Sequence, residues 1–143
     1  MNWLSIFLTG WWMTMFFHLF QPEPGHLNIE ITGIKSNTGQ IRVAIVTRYK
    51  YKSDDEVGYG GSIPVNTSNQ VSFITPPMPA GKYAVKVFHD VNNNGELDVN
   101  LIGIPKEPYG FSNNARGRFG PPDFSAAAIT VQPNDTLSVR IDL

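Results

Sequence analysis

The chain contains no cysteine, which excludes disulfides, thiol nucleophiles, thiolate zinc sites and a lipidated N-terminal cysteine. It also lacks an excess of either charge: 11 Lys/Arg stand against 12 Asp/Glu, and the signs are interspersed. A net charge of −1 gives no electrostatic footprint for nucleic acid, so no nucleic-acid partner is expected. Histidine is scarce: only His18, His26 and His89 occur. His89 and its neighbour Asp90 would point to opposite faces of a strand, which makes them a poor base–orienter pair. There is no Gly-x-Ser-x-Gly, no His-Glu-x-x-His and no phosphate-binding loop. No enzyme activity is expected from these absences.

Charge is also missing from one place in particular. The first 20 residues, MNWLSIFLTGWWMTMFFHLF, carry no Asp, Glu, Lys or Arg, and polarity begins at Gln21-Pro22-Glu23-Pro24. Residues 1–24 therefore read as a signal peptide or an N-terminal membrane anchor, engaging the membrane at least during export. The absence of a basic residue near Met1 is atypical for a signal, and its three tryptophans would suit a membrane interface. The expected location is the periplasm, the cell surface or the extracellular space. Residues 25–143 are long enough to form one domain with a real core.

What is present is β-patterning. LNIEITGI (27–34) alternates Leu27, Ile29 and Ile31 with Asn28, Glu30 and Thr32. IRVAIVTR (41–48) sets Ile41, Val43 and Ile45 against Arg42 and Arg48. Residues 71–75, 82–90, 126–131 and 137–143 are the other candidates, since period two marks strands with one buried face. Turn chemistry links them at Ser36-Asn37-Thr38-Gly39, Pro79-Ala80-Gly81 and Gln132-Pro133-Asn134-Asp135. No helical period of useful length follows residue 20. The expected fold is all-β: a single antiparallel sandwich, immunoglobulin- or transthyretin-like, of six to seven strands. Lys50 to Gly61 reads as an exposed connection.

One segment exceeds a minimal sandwich. Roughly 35 residues separate the strand ending near Asp90 from the one starting near Ala126, and long ordered loops tend to be functional. Its Leu97, Leu101, Ile102, Ile104, Tyr109, Phe111, Phe119 and Phe124 give it more apolar character than a disordered segment has. At its start, FHDVNNNGELDVN places Asp90, Asn92, Asn94 and Asp98 at positions 1, 3, 5 and 9 of a calcium-type loop, with Gly95 at position 6. Glu96 would add its backbone carbonyl. Position 12 holds Leu101 instead of a bidentate acid, so Glu107, or else Asp123, would have to close the shell. The competing reading is a polar turn in which Asp90 and Asp98 cap backbone amides. Both remain open at this level: a structural calcium ordering residues 99–125, or hydrogen bonds alone.

Beyond the loop, the prolines and glycines of 103–122 would hold the segment extended, with Tyr109, Phe111, Phe119 and Phe124 packed down. Ser112, Asn113, Asn114, Arg116 and Arg118 would then lie at the tip, either as a recognition surface for a glycan or an envelope protein or simply as solvated polar surface on an Ω-like loop. Three functions stay in play: an exported binding module, an assembly or structural envelope domain, and a weak hydrolase using Glu107 and Asp98.

Two resemblances sharpen this reading. PPMPAGKYAVKV (76–87) is similar to the Pro-Gly-x-Tyr corner of transthyretin-like and carboxypeptidase-regulatory-type sandwiches, where the tyrosine packs beneath the turn. FHDVNNNGELDVNLIGIPKEPYGFSNN and GPPDFSAAAITV, with PAGKYAV upstream, resemble the DUF2141 family over residues 27–143. The resemblance implies a small exported β-sandwich behind a signal peptide, and implies no activity.

Overall fold

A computed structural model describes residues 23–53, 58–66 and 69–143. The expected leader lies outside them except for Glu23 and Pro24, as do residues 54–57 of the expected connection. Among the described residues no helix is long and apolar enough to cross a membrane.

Among the described residues eight strands form two sheets. They are β1 (His26–Thr32), β2 (Gln40–Val46), β3 (Tyr59–Pro64), β4 (Val71–Ile74), β5 (Gly81–Asp90), β6 (Tyr109–Phe111), β7 (Ile129–Val131) and β8 (Thr136–Asp142). The smaller sheet runs β4-β1-β8 and the larger β3-β2-β5-β6, with β7 also paired to β5. Long β5 carries both short strands along one side: Tyr83 opposite Ile129 in β7, and Lys86 opposite Phe111 in β6.

The all-β sandwich follows from the alternation. Leu27, Ile29 and Ile31 are fully buried and meet Ile41, Ile45, Val85, Val87 and Ile141 in one continuous core. Tyr83 donates its hydroxyl to the Pro79 carbonyl at 2.8 Å, so the tyrosine does pack beneath its Pro/Gly corner.

Three details differ from expectation. The sheets are not wholly antiparallel: β1 and β8 pair in parallel over seven positions, His26–Thr32 against Thr136–Asp142. Period two fixes which face is buried but not which strand lies alongside. Two further strands are present, β3, which begins at the end of the expected connection, and the three-residue β6. Gly60, Gly61 and the shortness of β6 hide the usual strand signal. Finally, the expected strand 126–131 begins as a helical turn, α1 (Phe124–Ala127), before β7.

A second, smaller cluster lies on the outer face of the larger sheet. Val46 and Ala84 are covered there by Tyr51, Phe111, Phe124 and Ala127. Tyr51 and Phe124 meet edge to face at 5.5 Å, and the Tyr51 hydroxyl donates to the Pro122 carbonyl.

The sandwich has two distinct poles. Gly25 bridges Met78, His26 donates to the Asp135 carbonyl, and Val131 pairs with Gly81 at one pole. Gln40 pairs with Asp90 at the other, where Gly39 crosses the end of β5. Gly39 has φ +80°, and a Cβ there would lie 2.1 Å from the Asp90 carbonyl oxygen, so only glycine fits the crossing. Ten residues of β5 at about 3.3 Å each separate the poles by roughly 30 Å.

Candidate functional site

β5 ends with His89 and Asp90, and alternation sends them to opposite faces. His89 is fully buried, and its Nε2 donates to the Thr38 carbonyl at 2.7 Å. Asp90, equally buried, turns outward over β2. Its Oδ2 accepts from Arg42 Nε at 2.7 Å, from the Gly95 amide at 3.0 Å and from Gln40 Nε2 at 3.5 Å. Its Oδ1 accepts from the Asn94 amide at 3.0 Å. Burial pushes the Asp90 carboxyl up. The hydrogen bonds from Arg42, Gly95 and Asn94 and the charge of the guanidinium outweigh it and hold the group below the usual carboxylate range.

The loop after Asp90 closes on itself. The Asn92 and Asn94 carboxamides donate to the two oxygens of Asp98, at 2.8 and 3.1 Å. Their own oxygens accept from the amides of Asn94 and Glu96, the Asx-turn pattern that short polar side chains favour. Asn93 and Gly95 take the left-handed conformations this needs, with φ of 59° and 89°. Glu107 is buried and staples the loop's two ends: Oε1 accepts from the Val91 amide at 2.8 Å, and Oε2 from the Asp98 amide at 3.1 Å.

Of the six residues expected at this site, the structure gathers Asn92, Asn94 and Asp98 directly. Asp90 and Glu107 anchor the same loop through its backbone. Glu96 contributes its amide, and its side chain is exposed. Among the described residues no group of three or more His, Cys, Asp or Glu is placed to hold a metal ion. The oxygens of Asp90 and Glu107 are aimed at N–H donors, and a guanidinium already sits on Asp90. Calcium would have to draw its oxygens from Asn92, Asn94 and Asp98, with Asp90 shared with Arg42.

Arg42 and Gln40 were missed as members of this site. Period two places Arg42 on the outer face of β2; only the β2–β5 register brings it beside Asp90.

Past the latch, residues 99–105 form a small finger. Val99 bridges Pro105, and the Lys106 amide donates to the Asp98 carbonyl at its neck. Asn100 organises the turn: its amide donates to the Ile104 carbonyl, and its side-chain oxygen accepts from the amides of Ile102 and Ile104. Leu101 is 107% exposed and Ile102 79%, with Ile104 and Val99 about half exposed. These apolar side chains stand in solvent, and the hydrogen bonds of Asn100 order the turn that carries them.

The expected recognition tip also differs. Ser112 is fully buried, accepting from the Val85 amide and donating to the Ala127 carbonyl. Asn113 donates to the carbonyls of Ala126 and Ala128, and Asn114 accepts from the Asp142 amide. These three residues fasten the segment over the sheet. Phe111 and Phe124 are buried, whereas Phe119 is 101% exposed, as Arg116 and Arg118 are exposed beside it.

No curated protein and no solved structure matches the chain. A family model does match, over residues 29–138, from the middle of β1 into β8. It takes in the β5 corner, the Asp90 latch, the finger and the segment fastened by Ser112–Asn114. With a match of that extent, the chain belongs to DUF2141, a family of uncharacterized proteins conserved in bacteria.

Proposed function

We propose that this protein is an exported, non-catalytic binding module whose working element is the 99–105 finger, held out from the sandwich by the Asp90–Glu107 latch. The observation that carries the reading is the combination of high exposure at Leu101 and Ile102 with a turn in which the amides of Asn100, Ile102, Gly103 and Ile104 are satisfied internally. Exposed apolar surface on an ordered element marks an interaction site more often than a packing defect. The carboxylates that a hydrolase would need support the same reading. Glu107 has both oxygens on backbone amides and Asp98 both on carboxamides, so neither is aimed at a substrate. An envelope protein, a glycan or a lipid surface is the class of partner.

The test is photocrosslinking in the producing cell, with the reactive group at Leu101 and a control at Ser138. Adducts at Leu101 and none at Ser138 are expected. Equal, background labelling at both positions would defeat the proposal.

A structural calcium in the latch is a second reading, supported by the convergence of the Asn92 and Asn94 carboxamides on Asp98. Rotated, both could present oxygen to a hard cation. A cation binding only the folded state adds about 2.7 kcal/mol at a hundredfold excess over its dissociation constant. Thermal unfolding with calcium, magnesium and chelator therefore checks it: a calcium-specific rise that vanishes in Asp98→Asn is expected, and no shift at millimolar metal rejects it.

A further inference from the structure

Resting on the finger as the working element, we infer that its partner is a lipid bilayer, into whose interfacial region Leu101, Ile102 and Ile104 insert. Four observations lead there.

The tip is convex and aliphatic, with Val99, Leu101, Ile102 and Ile104 all exposed and no aromatic side chain among residues 99–105. Protein interfaces draw their binding energy from aromatic and arginine anchors seated in pockets, which this tip lacks.

The rim is polar: Asn92, Asn93, Glu96 and Lys106 are exposed around the neck. A stable contact with a second copy buries roughly 800 Å² on each partner. A seven-residue finger with a polar rim cannot extend to that. A bilayer imposes no minimum area, because apolar transfer is non-directional and each side chain contributes separately.

Four backbone donors of the finger are ready for an apolar phase. The amides of Asn100, Ile102, Gly103 and Ile104 all donate inside the turn, so inserting it leaves those donors satisfied. Loops without such internal bonding are excluded from hydrocarbon. Lys106 stands at the neck, the level at which lipid phosphates would lie.

The finger also springs from the pole opposite Gly25. Residues 21–25 reach about 17 Å at full extension, against about 30 Å between the poles. Lipid contact through the finger is therefore a separate event from any contact made by the apolar leader, and an upright, leader-tethered domain does not make it.

The absence of cysteine allows a clean test on the full chain. A single Leu101→Cys, carrying an environment-sensitive fluorophore, is mixed with phosphatidylcholine/phosphatidylglycerol vesicles whose acyl chains are brominated; Ser138→Cys is the control. A blue shift and loss of emission at position 101, neither at 138, is the expected result. Adding Ile102→Asp, an exposed change that leaves the thermal midpoint in place, should abolish the response.

Three results overturn the inference: a water-like spectrum at saturating lipid, a response that survives Ile102→Asp, or an equal shift without lipid as protein concentration rises. The last would indicate a second copy at the tip. Crosslinks from Leu101 to protein, with no quenching by lipid, would sink the lipid partner and leave the binding reading standing.

Discussion

Asp90 is the residue on which the loop turns. Its carboxylate replaces water with one guanidinium and two backbone amides, so removing a partner leaves a buried acceptor short. Arg42→Ala is expected to cost about 1–3 kcal/mol, because Arg42 is partly exposed and the two amides stay in place. Gln40→Ala, which loses only a 3.5 Å bond, should cost far less. Urea titrations of the two variants make the comparison. The sign of the pH dependence follows from the lowered Asp90 pKa. Its contribution is fully present above the unfolded value, near 3.8, and is lost as pH falls through the lower folded value. Thermal midpoints should therefore fall more steeply below pH 4 in the native chain than in Asp90→Asn, which starts lower at neutral pH and has less to lose.

At the scale of elements, the latch and the outer-face cluster each hold one part of the long segment between β5 and β7. Glu107→Gln keeps the shape and swaps one acceptor oxygen for an amide donor, leaving the Val91 or the Asp98 amide facing N–H. A loss of about 1–3 kcal/mol is expected. Faster hydrogen exchange at those two amides, with β1 and β2 unchanged, would place the effect at the neck of the finger. Phe124→Ala removes the ring that Tyr51 meets edge to face and that the Arg48 guanidinium covers at 4.9 Å. The expected cost is about 3–5 kcal/mol. Exchange should rise across 112–128, while the two-sheet core retains its protection.

For the whole molecule, the parallel pairing of the first and last strands is decisive. β8 covers one side of β1, and Val139 and Ile141 sit in the core with Leu27 and Ile29. Deleting residues 134–143 strips that side of β1 and opens the core. The truncated chain is expected to lose cooperative thermal unfolding altogether; a sharp transition would refute the role given to β8. Contacts between residues a hundred positions apart also make this a high-contact-order fold, so refolding should fall in the millisecond-to-second range by stopped-flow fluorescence.

The sequence by itself determined which face of each long strand is buried, because a period of two is a local property of the backbone. It also determined the Pro79–Gly81 corner over Tyr83 and the loop position of Asp90, Asn92, Asn94 and Asp98, since turn chemistry acts between residues close along the chain. Only the tertiary structure decided the rest. The parallel β1–β8 pairing, Arg42 on Asp90 and the choice of Glu107 rather than Asp123 to close the loop depend on strand register and on chain returning from 16 to about 110 residues away. The same holds for the apolar finger. Leu101 and Ile102 are as hydrophobic as the core residues, and composition alone would bury them. They stand in solvent on a turn that Asn100 closes through its own amide and side-chain oxygen.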